Sequence, residues 1–129
     1  MQNTLTSLPE VNSDGFRYFK RSEFDCAHTG RNQISDAFVR RLDELRHRCG
    51  FPFNVTSGYR DRRHPAESAK SAPGQHSRGI AVDIRVNNAL ERRILLDNAV
   101  KMCFNGIGIA KTFIHVDDRD SDEPVAWTY

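Results

Sequence analysis

Long hydrophobic runs are missing from this chain. No stretch approaches the roughly 20 apolar residues that a membrane-spanning helix needs, so membrane insertion is not expected. The N-terminus, Met1 to Pro9, has neither the basic start nor the apolar centre of a secretory signal. Cysteine is scarce. Cys26, Cys49 and Cys103 are odd in number and far apart, which argues against a disulfide framework and for small buried apolar side chains. An excess of charge is also lacking: 19 Lys and Arg face 17 Asp and Glu, a formal net charge of +2. Phosphate recognition needs a concentrated basic surface, so nucleic acid is not the expected partner. Basic clusters occur at Arg40–Arg41, Arg46–Arg48 and Arg60–Arg63, but acidic residues interrupt or face each of them. There is no internal repeat and no low-complexity segment.

What is present fits one compact domain of 129 residues. Residues 1–15 are polar, with Pro9 and Asp14-Gly15, and read as a flexible N-terminal arm; residues 16–129 read as a single domain. The clearest helix runs from Ser35 to Cys49. Ser35 is a good N-cap, Phe38, Leu42, Leu45 and Cys49 form one apolar stripe, and Gly50 sits where a C-terminal cap belongs. Asn88 opens a second helix, Ala89 to Phe104, with Leu90, Ile94, Leu95, Ala99 and Met102 on its apolar side. Pro65 to Lys70 suits a short helix with proline in its first turn. Strands are expected at Phe53–Thr56, Ile80–Val86, Gly106–Ile109, Phe113–Asp117 and Val125–Tyr129. In the second of these, Ala81, Asp83 and Arg85 share a face. The glycines at 106 and 108 mark a close backbone approach. Short connections between the late strands favour antiparallel pairing. The expected class is α+β, a small antiparallel sheet flanked by helices.

Three groups of residues carry the chemistry: Ser57-Gly58-Tyr59-Arg60, His76-Ser-Arg-Gly79-Ile-Ala81-Val-Asp83, and His115-Val-Asp117. Imidazole and carboxylate suit zinc, and a catalytic zinc takes three protein ligands. Gly79 permits a sharp backbone path between His76 and Asp83. His115 and Asp117 share one face of a strand. Blander readings stand beside this one: a loop histidine as a surface group, Asp83 as a turn cap or partner of Arg60, and Arg60 in a structural ion pair. Asp83 favours the metal, because a carboxylate inside an apolar strand is costly unless paired or bound to a cation. Elsewhere, Cys26 and His28 make a weak pair. His64 is as well suited to the surface as to a cleft. The acidic run Asp117–Glu123 lacks the glycine of a calcium loop. Trp127 and Tyr129 cover a sheet edge or line a groove.

These motifs, in this order and spacing, resemble the zinc D-Ala-D-Ala peptidases of bacterial cell walls, whose fold is shared with the hedgehog signalling domain. The similarity is greatest to short bacterial and phage members and spans roughly residues 17–129. The element H-x-x-G-x-A-x-D at His76–Asp83 is its most specific part. The resemblance implies that His76, Asp83 and His115 bind Zn2+ and that Arg60 contacts a substrate carbonyl or carboxylate. Ser57 supports the turn or the substrate, and Tyr59 belongs to the same substrate-binding element. It implies hydrolysis of peptidoglycan stem peptides or cross-links beside a D-amino acid, by a D,D-carboxypeptidase or endopeptidase. With no visible leader, the expected setting is a phage lysin, a virion-associated enzyme with tail-protein partners, or a cytoplasmic protein; a monomer is favoured. One position departs from the pattern. Better-known members carry an acidic general base three residues before the last histidine, where this chain has Thr112. Asp117 is then the nearest base, or else the group that holds His115. The departure keeps open a zinc-stabilised binding module with little or no activity.

Overall fold

A computed structural model describes residues 8–129. Of the arm expected over residues 1–15, residues 1–7 lie outside the described residues. Asn12–Phe16 forms a turn whose Asn12 side chain accepts from the backbone N–H groups of Asp14 and Phe16. A 3-10 turn, Arg21–Phe24, precedes α1 (Asp36–Cys49), β1 (Val55–Ser57), α2 (Pro65–Ser68), β2 (Ala81–Arg85), α3 (Ala89–Lys101), β3 (Gly106–Ile109), β4 (Phe113–Asp117) and β5 (Val125–Thr128). The class is α+β.

Helix α1 begins where Ser35 Oγ accepts from Phe38 N and ends at Gly50, whose φ of 77° is the left-handed cap that glycine adopts without strain. Its stripe Phe38, Leu42 and Leu45 is buried against Leu95 and Ala99 of α3 and against Val82, Ile84, Ile107, Ile114 and Val116 of the sheet. Asn88 caps α3 through Glu91 N. That helix stops at Lys101, short of Phe104, and Leu90 is exposed rather than part of its apolar side. Phe53 joins the core from the loop before β1, so the first strand starts two residues later than its composition suggests.

The five strands form one sheet in the order β1-β2-β4-β3-β5. It is mixed rather than antiparallel throughout, because β5 runs parallel to β3. The reason is connectivity. Both edges of β4 are taken by β2 and β3, so the chain leaving β4 pairs one strand further on, at the free edge of β3. A short loop returns it at the end where β4 finished, opposite Gly106. Running antiparallel to β4, it is necessarily parallel to β3.

Side chains alternate across a strand. Val82 and Ile84 of β2, with Ile114 and Val116 of β4, therefore meet the helices. Asp83, His115 and Asp117 take the other face. One row crosses that face through consecutive registers: Ser57, Asp83, His115, Gly108 and Trp127.

Candidate metal centre

His76 reaches this row from the loop before β2. Three residues on, Gly79 has φ 76°, and a Cβ there would strike the backbone carbonyl of Gln33. Glycine allows the turn that places His76 beside Asp83. The Arg60 and His76 segments are fastened together: Arg60 N donates to His76 O at 3.2 Å, and Ser77 Oγ donates to Arg60 O at 2.7 Å.

One nitrogen or oxygen from each of His76, Asp83 and His115 lies within 4.8 Å of the others, and all three residues are buried. Asp83 Oδ1 stands 3.4 Å from His76 Nε2 and 3.0 Å from His115 Nδ1. The remaining nitrogens are engaged. His76 Nδ1 donates to Gly58 O at 2.8 Å, and His115 Nε2 lies 2.6 Å from Asp117 Oδ2. A neutral imidazole has one N–H. If His115 spends it on Asp117, its Nδ1 lone pair faces Asp83, and two lone-pair donors then face each other across a small gap. A cation between them resolves that conflict. The donor set of two imidazoles and one carboxylate suits zinc.

Without a cation, protonation of the imidazoles relieves the same conflict, since each then has a second N–H to donate to Asp83. Burial, the largest influence on Asp83, pushes its carboxyl up, but hydrogen bonds from His115 and His76 outweigh it and hold it well below the ordinary carboxylate range. Burial presses His115 down, yet Asp117 and Asp83 together raise it above its ordinary 6.5. In metal-free protein, His115 therefore contributes stability that is complete below about pH 6.5 and is lost as pH rises through its raised value. A metal ion held by His115 would displace that proton, so zinc affinity is expected to rise with pH over the same window. Chelator-competition titrations between about pH 5.5 and 8.5 check this; a flat affinity contradicts it.

Asp117 is completely buried behind His115. Arg119 grips it through Nε at 3.0 Å and Nη2 at 2.8 Å, and the Arg119 guanidinium lies 4.6 Å from the centre of the Trp127 ring. Burial pushes its carboxyl up, but His115 and Arg119 hold it far below the usual range. Space for these groups comes from β3. A Cβ on Gly106 would collide with the Asp117 carboxylate, and one on Gly108 would lie 2.7 Å from Trp127 Nε1. Trp127 thereby reaches the His115 ring, with centroids 5.2 Å apart. Gly106→Ala is expected to cost about 1–3 kcal/mol by overpacking and to weaken zinc binding by displacing Asp117. Thermal unfolding with and without zinc measures both; an unchanged midpoint rejects the packing argument.

A cleft of about 400 Å³ opens over the three residues, lined also by Arg60, Lys70, Gln75, Phe113, Arg119 and Tyr129. Arg60 Nη2 lies 3.5 Å from Asp83 Oδ2, and its Nε donates to Ser57 Oγ at 3.1 Å. Ser57 thus supports Arg60. Tyr59 is buried and lines, with Ser57 and His64, a smaller adjoining cavity rather than the cleft. His64 caps α2 through Ala66 N. Thr112 is exposed, outside the cleft lining.

Two participants were not foreseen. Arg119 continues the alternation of His115 and Asp117, a signal available in the spacing. Glu67, on α2, is completely buried, and nothing in its polar neighbourhood marks it. Among the described residues, no helix is long and apolar enough to cross a membrane.

No curated protein matches this chain. A family model described as Peptidase M15 matches residues 17–117, a span that contains His76, Asp83, His115, Arg60 and Asp117 but ends before Arg119 and Trp127. The match covers 101 of 129 residues, and the chain belongs to the Peptidase M15 family.

Proposed function

We propose that this peptidase is a zinc enzyme hydrolysing peptidoglycan stem peptides or cross-links beside a D-amino acid. The observation that carries the zinc assignment is the convergence of His76 Nε2, Asp83 Oδ1 and His115 Nδ1, with both outer imidazole nitrogens already held. The wall-peptide substrate follows from the motif resemblance. Zinc held by these three residues supplies a Lewis acid for the scissile carbonyl and an acidified water near neutral pH. Arg60 offers forked donors to a substrate oxygen beside the metal residues. Ser57 fixes the guanidinium, and Gly58 O fixes the His76 tautomer.

We assign Asp117 to positioning. A carboxylate with no exposed surface, clamped by Arg119 and bonded to His115, orients the imidazole and raises its basicity as a ligand. It is badly placed to collect a proton from the cleft. Among the described residues lining the cleft, Asp83 is the one carboxylate. That observation favours a second reading, a zinc-bound module that recognises wall peptides without cutting them.

Digestion of purified cell wall separates the two. The enzyme reading expects free D-alanine or shortened cross-links by mass spectrometry, absent with His115→Ala. Equal products from both proteins reject hydrolysis at this centre. Tight zinc and bound muropeptides without turnover establish the module instead. A virion or lysin setting is the context we propose for either.

A further inference from the structure

The cleft has two unlike ends. The row of registers across the sheet puts Ser57, and with it Arg60, on one side of Asp83 and His115, and puts Trp127 on the other. On the β1 side the lining is cationic, from Arg60 and Lys70. Away from it the lining is aromatic: Tyr129 follows β5, and Phe113, two residues before His115 on β4, packs on it with ring centroids 5.2 Å apart. Arg119 also lines the cleft, but its guanidinium is committed to Asp117 and stacked on Trp127.

The cationic end is built on Glu67. A carboxylate with no exposed surface is costly to bury unless its oxygens are satisfied. Here Oε1 accepts from Gly74 N at 3.1 Å and Ser77 Oγ at 3.0 Å, and Oε2 accepts from Lys70 Nζ at 2.8 Å. Arg60 Nη1 lies 3.7 Å from the same Oε2. A Cβ on Gly74 would lie 2.8 Å from Lys70 Nζ and would displace the ammonium. The Lys70 backbone is pinned as well, its N–H bonded to Glu67 O and its carbonyl to Arg62 Nη2. One negative charge thus draws two cations to one edge of the cleft. An ammonium has three N–H donors, and Glu67 is the one hydrogen-bond partner of Lys70 Nζ among the described residues. The Lys70 side chain remains 47% exposed.

We infer that Lys70 is a specificity-determining residue: beside Arg60 it receives the free C-terminal carboxylate of a bound peptide, whose other end lies toward Phe113 and Tyr129. Glu67 is the positioning residue for this anion pocket. The inference rests on the peptidase reading and deepens it, because a pocket for a chain terminus makes the enzyme a carboxypeptidase rather than a cross-link endopeptidase.

The test compares Nα-acetyl-D-alanyl-D-alanine with its C-terminal amide on the zinc-loaded protein. Binding is read by saturation-transfer NMR, and released D-alanine or D-alaninamide is quantified in the same tubes. The native chain is expected to bind the acid at least about tenfold more tightly than the amide, the scale of a charged hydrogen bond. Lys70→Met is expected to lose most of that preference by weakening the acid alone, with zinc content unchanged, and Lys70→Arg to retain it. Glu67→Gln is expected to lower the acid-to-amide ratio without lowering zinc content. Equal binding of acid and amide by the native chain, or a full preference in Lys70→Met, overturns the inference. Turnover of both ligands without an acid preference overturns it while leaving the peptidase reading intact. A Lys70-dependent acid preference without turnover upholds the pocket and rejects the peptidase reading. Binding of neither ligand rejects both.

Discussion

Replacing His115 with alanine is expected to remove zinc binding and hydrolysis together. Among the described residues, His115 is the one imidazole in contact with both Asp83 and Asp117. Without it, His76 and Asp83 remain as two donors where a catalytic zinc takes three. The loss in zinc affinity should exceed the roughly 10–100-fold that follows from altering an outer partner of a ligand. The fold should suffer as well. Two buried carboxylates would lose a shared partner, a change that costs about 3–5 kcal/mol when one member of a buried pair is removed. Circular dichroism and denaturant titration therefore accompany the zinc titration, and His115→Gln, which keeps a polar side chain of similar reach, separates folding from ligation. Native zinc affinity in a folded His115→Ala protein removes His115 from the site.

The second large effect is expected at Asp117→Asn. The amide keeps the shape and one acceptor oxygen but cannot carry the charge that Arg119 and His115 require. Zinc affinity should fall by about 10–100-fold, and activity measured at saturating zinc should recover to within about tenfold of the native value. A general base behaves differently. Its loss leaves zinc affinity intact and lowers kcat at every zinc concentration, with the corresponding limb of the pH profile gone. Unchanged zinc affinity with activity that excess zinc cannot restore would return Asp117 to the base role and overturn the positioning assignment.

Much of this architecture is legible in the sequence because its signals are local. The α1 stripe of Phe38, Leu42 and Leu45 carries its own period and its own caps, Ser35 and Gly50. The motif from His76 to Asp83 carries its turn in Gly79, and the Gly106–Gly108 pair marks the close approach that Asp117 and Trp127 fill. What is not legible depends on partners distant in the chain. The parallel pairing of β5 follows from which edges β2 and β3 have already occupied, information no window of residues 118–129 contains. The position of Asp117 behind His115 depends on Arg119 and on the absent Cβ of Gly106. Tyr59 sits beside Arg60 in a four-residue motif, yet the chain turns there so that Arg60 lines the cleft and Tyr59 does not. Glu67 looks like a solvated residue of a short polar helix until Arg60, Lys70 and Ser77 close around it. The sequence motif identifies the three metal candidates; tertiary packing supplies the groups that orient them.

X-ray absorption spectroscopy of the zinc-loaded protein reads the ligands His76, Asp83 and His115 at the metal itself. One zinc per chain is expected, with two imidazole nitrogens at about 2.0–2.1 Å, one carboxylate oxygen at about 2.0–2.2 Å and a further light-atom position filled from solvent. Sulfur in the coordination shell, a third imidazole, or zinc that stays bound when His76 and His115 are both replaced would contradict this ligand set.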